Sequence, residues 1–235
     1  MIAITSAYYD RDGFSLDIAF NVQHESLTAV IGPSGAGKST LLNIIAGFES
    51  LYRGEISLNG ERHTSTSPAS RPVSFVFQDN NSFAHLTARA NVAIGVAPNL
   101  KLSLHDWQRV DNALDHVGIA HLAERKPGEM SGGERQRIAL ARVLVRQKPI
   151  LLLDEAFAAL GPALRKEMLL LVKRIQTERG LTVLMVTHEP EDAKLIADQV
   201  MFVAHNKVRK PEPLTAFFMS QDAAVQEYLG STSPA

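Results

Sequence analysis

The sequence predicts an α/β fold in which a mainly parallel sheet is covered by helices on both faces. Short apolar runs alternate with segments of helical pattern along the chain. Two of these runs, 149–153 (PILLL) and 182–186 (TVLMV), are unbroken, as is typical of strands buried on both faces. A glycine-rich stretch beginning at Gly32 lies between an apolar run and a helical pattern, which is the order of a strand–loop–helix unit.

The N-terminal part is predicted to add an antiparallel layer. Further strands are predicted at 14–22, 27–31, 54–58 and 73–77. The strand at 54–58 leads into Asn59-Gly60, a strong signal for a turn between antiparallel strands. The polar stretch 61–72 is expected to be a loop, and the tail after Tyr228 is expected to fray.

Helices are predicted at 38–47, 104–117, 132–147, 163–178 and 191–197. Ser103 and Asp106 form a capping pair at the start of the second helix. Pro162 and Pro190 each stand where a first helical turn begins. One domain over 1–235 is expected, with a core at about 1–84 and 148–210, a helical subdomain at about 85–147 and a C-terminal helix at about 212–229.

Composition narrows the functional class. Hydrophobic residues make up 45% and charged residues 21% of the 235 residues, as in a globular protein with a substantial core. The net charge of -1 argues against a nucleic-acid partner, which usually requires a basic excess. The chain has no cysteine, which excludes disulfides and cysteine metal sites. No apolar stretch approaches the roughly 20 residues of a membrane span, and no signal-peptide pattern is expected at the N-terminus.

The glycine-rich stretch matches the pattern G-x-x-x-x-G-K-[ST]. Its residues are Gly32, Pro33, Ser34, Gly35, Ala36, Gly37, Lys38, Ser39 and Thr40. Gly35 and Gly37 allow a tight turn whose N–H groups point at phosphate oxygens, and the following helix adds its positive end. Lys38 can reach the β- and γ-phosphates and the Ser39 hydroxyl can ligate Mg²⁺. The sequence therefore predicts a site for ATP and Mg²⁺.

Two acids at the end of an apolar strand complete this prediction. Asp154 follows the run Ile150 to Leu153 and can hold the Mg²⁺ shell. Glu155 is one residue further on and can act as the general base that activates water. Two strand-end acids alone would more often be solvated caps, and it is the phosphate loop that favours the catalytic interpretation.

The segment Met130-Ser131-Gly132-Gly133-Glu134 resembles the LSGGQ signature of ABC ATPases. Its physical basis is anion binding by Ser131 and the glycine amides at a helix N-terminus, and the same Ser can also cap that helix. In the family these groups, here Ser131, Gly132, Gly133 and Glu134, close over the γ-phosphate held by a second subunit. The resemblance implies the ABC type of P-loop NTPase fold and a homodimer that shares two ATP molecules.

Three further residues stand at positions, relative to these motifs, where the family has functional residues. Gln78 resembles the glutamine that contacts Mg²⁺ and water and senses the membrane partner. His188 resembles the histidine that contacts the γ-phosphate and orients Glu155. Tyr9 resembles the aromatic residue that stacks on adenine, with Tyr8 as the alternative, and either tyrosine could instead belong to the core.

The sequence also departs from the family pattern. Ala156 stands where Pro usually follows the catalytic Glu, and Gly161 stands where the S-A-L-D segment has its Asp. Glu134 replaces the Gln of the signature, and Glu25-Ser26 replaces the usual Gly-Glu. The loss of the Asp puts communication across the dimer, and the hydrolysis rate, in question.

Within the family, the stretches 68–95, 126–146 and 162–172 resemble the ATP-binding subunits of bacterial thiamine importers. That resemblance implies import of thiamine, with its phosphates as additional candidate cargo, and integral membrane permease subunits as partners. A periplasmic binding protein would deliver the cargo indirectly, and the chain would lie peripherally on the cytoplasmic face of the inner membrane. A helix of the permease is expected to contact the region from Asn80 to Asn91, with Phe83 and Leu86, unless these two are core residues.

Other classes fit less well. ABC importers of another small solute remain the alternative for the cargo. ABC proteins of DNA repair carry a long coiled coil between the two half-motifs, those of translation usually carry two such domains in tandem, and neither feature is in this sequence. A P-loop kinase would leave the SGGE segment unexplained.

Overall fold

The computed structural model describes residues 1–78 and 82–230, and within these ranges eleven strands form one sheet. The strands are β1 (Ile2–Arg11), β2 (Phe14–Val22), β3 (Leu27–Ile31), β4 (Arg53–Leu58), β5 (Glu61–Arg62), β6 (Val73–Val76), β7 (Ile150–Asp154), β8 (Thr182–Val186), β9 (Gln199–Ala204), β10 (Lys207–Val208) and β11 (Glu212–Pro213). Their order is β5-β4-β1-β2-β10-β9-β3-β8-β7-β6, with β11 paired to β9.

The helices are α1 (Lys38–Ala46), α2 (Ala88–Ala93), α3 (Leu104–His116), α4 (Gly132–Arg146), α5 (Pro162–Arg179), α6 (Pro190–Ile196), α7 (Leu214–Phe218) and α8 (Ala223–Tyr228). The predicted capping box of Ser103 and Asp106 at α3 is confirmed. Pro162 and Pro190 are the first residues of α5 and α6, as predicted, because their fixed φ suits a first turn that needs no N–H partner.

The sheet has a parallel half and an antiparallel half, as the sequence predicts. Strands β9, β3, β8, β7 and β6 are parallel neighbours, whereas β4, β1 and β2 pair antiparallel. Neighbouring residues of β7 face opposite cores: Leu151 and Leu153 pack with α4 and α5, and Ile150 and Leu152 pack with α1. Because both faces of β7 are buried, nearly all of its residues are apolar.

The turn after β4 is the predicted hairpin. Asn59 and Gly60 have φ angles of 52° and 88°, the left-handed conformations that a two-residue type I′ turn requires. It joins β4 to the short β5, so the stretch expected to be a loop from residue 61 begins with two strand residues.

Several elements differ from the sequence predictions, and the short sequence runs of β9 and β10 were given no strand of their own. Strand β1 was not predicted, because a bulge at Ser6 (φ 45°) shifts the register between Ile4 and Ala7 and breaks the alternation. The six-residue helix α2 is too short for a clear period. The single C-terminal helix predicted over 212–229 is wrong: Asp222 caps a new helix, so the segment holds β11, α7 and α8.

The segment between β6 and β7 contributes helices and short turns in the described residues from 82 onward. The half-buried Trp107 of α3 is held there by Arg89 of α2, whose guanidinium lies 4.5 Å from the ring centroid and pairs with Asp111 at 2.7 Å. Across residues 1–78 and 82–230, no helix combines the length and apolarity needed to cross a membrane.

Candidate nucleotide site

The glycine-rich loop joins β3 to α1 and is shaped by close backbone contacts. A Cβ at Gly32 would lie 2.0 Å from the carbonyl oxygen of Val203 in β9. A Cβ at Gly37, whose φ is 99°, would lie 2.6 Å from the ring of Phe14. Only glycine fits these two positions without displacement of the neighbours, so the observed shape of the loop depends on both glycines.

Lys38 is the first residue of α1 and is almost fully buried, with 4% of its surface exposed. Its Nζ donates to the carbonyl oxygens of Gly32 and Pro33 at 2.9 and 2.8 Å. Burial lowers the pKa of Lys38, and the nearby carboxylates of Glu155 and Asp154 oppose this shift. A buried ammonium held by two neutral carbonyls is ready to exchange these partners for phosphate oxygens.

A cleft of about 340 Å³ opens beside this lysine. It is lined by Phe14, Ser34, Gly35, Gly37, Lys38, Ser39, Thr40, Glu155 and His188. We call it the Lys38 cleft. The structure thus brings together, on one surface, most of the predicted phosphate loop and the predicted base and histidine.

Asp154 ends β7 and lies against the start of α1. Its Oδ1 accepts a hydrogen bond of 2.8 Å from the hydroxyl of Ser39. Burial raises the pKa of Asp154, while the Ser39 hydroxyl opposes that shift. A hydroxyl and a carboxylate in contact at the edge of the cleft form a set of hard oxygen donors that fits Mg²⁺. The Ser39 and Asp154 of the predicted metal site therefore meet, although the sequence separates them by more than a hundred residues.

Glu155 turns out of β7 in a left-handed backbone conformation, with φ 48°. Its Oε1 lies 2.5 Å from Nε2 of His188, which follows the end of β8. Because β7 and β8 are parallel neighbours, their carboxyl ends lie at the same edge of the sheet and bring these two side chains together. A carboxylate in contact with an imidazole can accept a proton while the imidazole fixes its orientation.

The signature residues lie elsewhere. Ser131 is exposed and caps α4, and its own N–H donates to Oε2 of Glu134 at 2.7 Å in a capping box. Gly132 and Gly133 form the first turn of α4, and Gly133 is buried against Leu164 of α5. None of these residues lines the Lys38 cleft. The helix-capping interpretation of Ser131 is thus correct, and it leaves the outer side of the helix start open to a partner.

The prediction that Tyr9 stacks on adenine is wrong. Only 6% of its surface is exposed, and its hydroxyl donates to the partly exposed Glu49 at 3.2 Å. The alternative, Tyr8, packs edge-on against Tyr52 at 6.3 Å and is absent from the cleft lining. The aromatic ring that does line the cleft is Phe14. Sequence reasoning missed it, although its place directly after the Asp12-Gly13 turn was a usable signal.

Gln78 lies just beyond β6, which pairs with β7, so it is at the same sheet edge as Asp154. Its side chain is exposed and does not line the Lys38 cleft. The role of Gln78 in binding a metal ion stays a prediction.

A second cleft, of about 420 Å³, lies between the sheet edge and α4. It is lined by Ser74, Phe75, Val76, Phe77, Ser82, Phe83, Ala139, Arg142, Val143 and Arg146, and we call it the Phe83 groove. Phe83 is 47% exposed and Leu86 is half-buried. Asn91, at the end of the region expected to contact a permease, is fully buried and accepts a hydrogen bond of 2.8 Å from the backbone N–H of Phe83, whereas Phe83 itself is open to a partner. Asn80 lies outside the described residues.

Known proteins with similar sequences support the assignment of this cleft as a nucleotide site. The family model for ABC transporters matches residues 16–158. The chain is 50% identical over 221 residues to the thiamine import ATP-binding protein ThiQ of Ruegeria sp. (strain TM1040), covering 94% of this chain and 96% of that protein. It is 52% identical over 205 residues to the protein of the same name from Brucella suis, covering 87% and 85%.

Solved structures give the same result. A dimeric ATP-binding cassette in a post-hydrolysis state with ADP and Pi matches with a TM-score of 0.78 and 27% identity, covering 91% of this chain and 99% of that chain. An ABC transporter in an inward-facing conformation matches with a TM-score of 0.82 and 26% identity, covering 98% and 87%. The phosphate loop, the paired Glu155 and His188 and these relatives together establish that the chain belongs to the ABC transporter family, as an ATP-binding, ATP-hydrolysing subunit.

Proposed function

We propose that this chain powers the import of thiamine by hydrolysing ATP at a site shared between two copies of itself. The observation that carries the hydrolytic part is the convergence of Lys38, Glu155 and His188 on one cleft. The identity of about half of all residues with thiamine import ATP-binding proteins, over nearly the whole chain, supports the cargo. Another small solute is the alternative.

In the proposed mechanism, the loop amides and Lys38 bind the phosphates of ATP. Ser39 and Asp154 would hold Mg²⁺, with Gln78 as a further candidate ligand. When bound, the metal ion neutralises charge on the phosphate oxygens. Glu155 takes a proton from the attacking water, and His188, already in contact with Glu155, orients its carboxylate and contacts the γ-phosphate. Phe14 would offer an apolar surface to the nucleotide.

A partner copy would complete the site through its own Ser131 loop. Ser131, Gly132 and Gly133 begin α4 on a surface away from the cleft of their own chain. The Oγ of Ser131 and the positive end of a 15-residue helix suit the γ-phosphate of a nucleotide bound to the other protomer. ATP would then hold the dimer closed, and hydrolysis would release it.

The Phe83 groove would receive a helix of the membrane permease. Its lining combines aromatic rings with arginine, and it lies directly beside the segment that carries Gln78. A permease seated there would place the chain peripherally at the cytoplasmic face of the membrane. Thiamine would pass from a periplasmic binding protein through the permease, so no residue of this chain needs to contact it.

Uptake of labelled thiamine tests the proposal. Cells that lack this gene should regain uptake when they carry the wild-type chain or Lys101→Ala, an exposed lysine outside the site. Lys38→Ala, produced at the same level, should not restore uptake because the buried ammonium that binds phosphate is lost. Thiamine uptake that is independent of the gene, together with loss of uptake of another solute, would assign the chain to a different importer.

A further inference from the structure

The C-terminal helix α8 contacts the loop that carries His188. Tyr228, the last residue of α8, donates its hydroxyl to the backbone carbonyl oxygen of His188 at 3.3 Å. Burial raises the pKa of Tyr228, and the backbone of Gly32, which interacts with the same hydroxyl, opposes the shift. One side chain from the far end of the sequence thus contacts the histidine loop.

The ring of Tyr228 is fixed by packing. It meets Phe202 of β9 at 5.6 Å in an edge-on contact, and Phe202 pairs in register with Ile31, the residue before Gly32. Phe217 of α7 and Val225 of α8 are both fully buried in the same small core. The hydroxyl is therefore presented from a rigid base rather than from a loose tail.

The start of α8 is fixed as well. Asp222 caps the helix by accepting from the backbone N–H of Ala224 at 3.1 Å and of Val225 at 3.2 Å. It also pairs with Arg209 at 2.9 Å, which lowers the pKa of Asp222. The guanidinium of Arg209 lies 5.2 Å from the ring centroid of Phe202. Both ends of α8 are thus tied to β9 and the chain that follows it.

The two residues that flank His188 are fixed by hydrogen bonds that do not involve Tyr228. The hydroxyl of Thr187 donates to Asp192 at 2.6 Å and accepts from the N–H of Glu189 at 3.1 Å. Arg165 of α5 donates its Nε to the same Asp192 carboxylate at 3.0 Å. These contacts fix Thr187 and Glu189, whereas the carbonyl of His188 is bound by Tyr228 and its ring contacts Glu155.

We propose that Tyr228 is a positioning residue for hydrolysis: its hydroxyl holds the backbone carbonyl of His188, so that the histidine meets Glu155 and the γ-phosphate together. The inference rests on the proposed hydrolytic role of this site. Without the hydroxyl, the backbone carbonyl of His188 loses its hydrogen bond, and the loop samples positions in which His188 no longer orients Glu155. ATP binding depends on Lys38 and the loop amides and is unaffected.

The variant Tyr228→Phe tests this, because it removes one hydroxyl and keeps the ring on Phe202. In the purified full chain, kcat for ATP hydrolysis should fall about 3- to 10-fold, the effect of one lost hydrogen bond, with KM for ATP within about twofold of wild type. Tyr52→Phe is the matched control, since it removes the hydroxyl of a 78% exposed tyrosine and should leave both constants unchanged. Amide hydrogen exchange over residues 187–190 should be faster in Tyr228→Phe than in Tyr52→Phe.

Two results would overturn the proposal. One is a kcat for Tyr228→Phe equal to that of wild type, and the other is a joint change of kcat, KM and thermal stability, which would indicate a purely structural role. Failure of the proposed function would look different, because the wild-type chain itself would then not hydrolyse ATP. The exchange measurement needs no turnover, so unchanged exchange over 187–190 would still count against Tyr228 in that case.

Discussion

At the scale of single residues, the site depends on contacts that bring chemically complementary groups together. Glu155 and His188 are 2.5 Å apart because each follows a parallel strand of the same sheet edge. The positions of the two acids and the histidine along the sequence predicted which side chains would form the catalytic part of the site. It did not predict Phe14 in the cleft or the burial of Tyr9, because a ring's exposure depends on how neighbouring strands pack rather than on spacing along the chain.

Replacing the proposed base gives the most direct test at this scale. Glu155→Gln keeps the size of the side chain but removes the proton acceptor, so the rate of phosphate release should fall by about 100-fold or more. ATP should remain bound, and ATP-bound dimers should accumulate on size-exclusion chromatography. The control is Glu61→Gln, whose side chain is 84% exposed in the β4–β5 hairpin. Sustained hydrolysis by Glu155→Gln would remove Glu155 as the base.

At the scale of elements, the helices and strands with strong local signals were predictable. The capping box of Ser103 and the prolines that open α5 and α6 act within a few residues, so the sequence alone reveals them. Strand β1 was missed because its bulge at Ser6 is stabilised by pairing with strands on both sides, which no local pattern contains. The break between α7 and α8 was missed as well, and it depends on the side chain of Asp222, which caps the start of α8.

The contact between α4 and α5 supports a prediction about the signature helix. A Cβ at Gly133 would lie 2.5 Å from the side chain of Leu164, so Gly133→Ala should force Leu164 out of its present packing between α4 and α5. We expect a loss of about 1–3 kcal/mol in the free energy of unfolding. This corresponds to a fall in Tm of roughly 2–4 °C for each kcal/mol. Gly128→Ala is the control, since nothing lies within 4 Å of its Cβ position. Equal melting temperatures of the Gly133→Ala and Gly128→Ala variants would show that the contact with Leu164 rearranges without loss of stability.

At the scale of the whole molecule, one chain presents two half-sites that share no lining residue. The Lys38 cleft and the start of α4 are separate surfaces of the protomer. The order of the motifs along the sequence predicted both the phosphate-binding surface and the signature surface. The two surfaces can meet only when two protomers associate, and the sequence of one chain does not specify how they do so. Moving a dimer from 1% to 99% closed requires a preference of about 5.5 kcal/mol, which the shared γ-phosphate must supply.

This arrangement predicts a separation of binding from closure. Ser131→Arg, combined with Glu155→Gln, should bind ATP as a monomer because the bulky cation replaces the small hydroxyl at the start of α4. Light scattering with ATP should report one protomer mass for this variant. Ser65→Arg, an exposed serine in the loop after β5, should form dimers in the same Glu155→Gln background. Normal dimers of Ser131→Arg would contradict the shared site.

The stacking of Arg89 on Trp107 has a practical consequence for observing the protein at work. Trp107 is the only tryptophan of the chain, so indole fluorescence arises from α3 alone and is quenched or shifted by changes around that helix. Nucleotide bound at Lys38 lies on another part of the molecule, and any change in emission on adding ATP would therefore report motion transmitted to the region of α2 and α3. The absence of cysteine lets a single introduced thiol carry a second dye without background labelling.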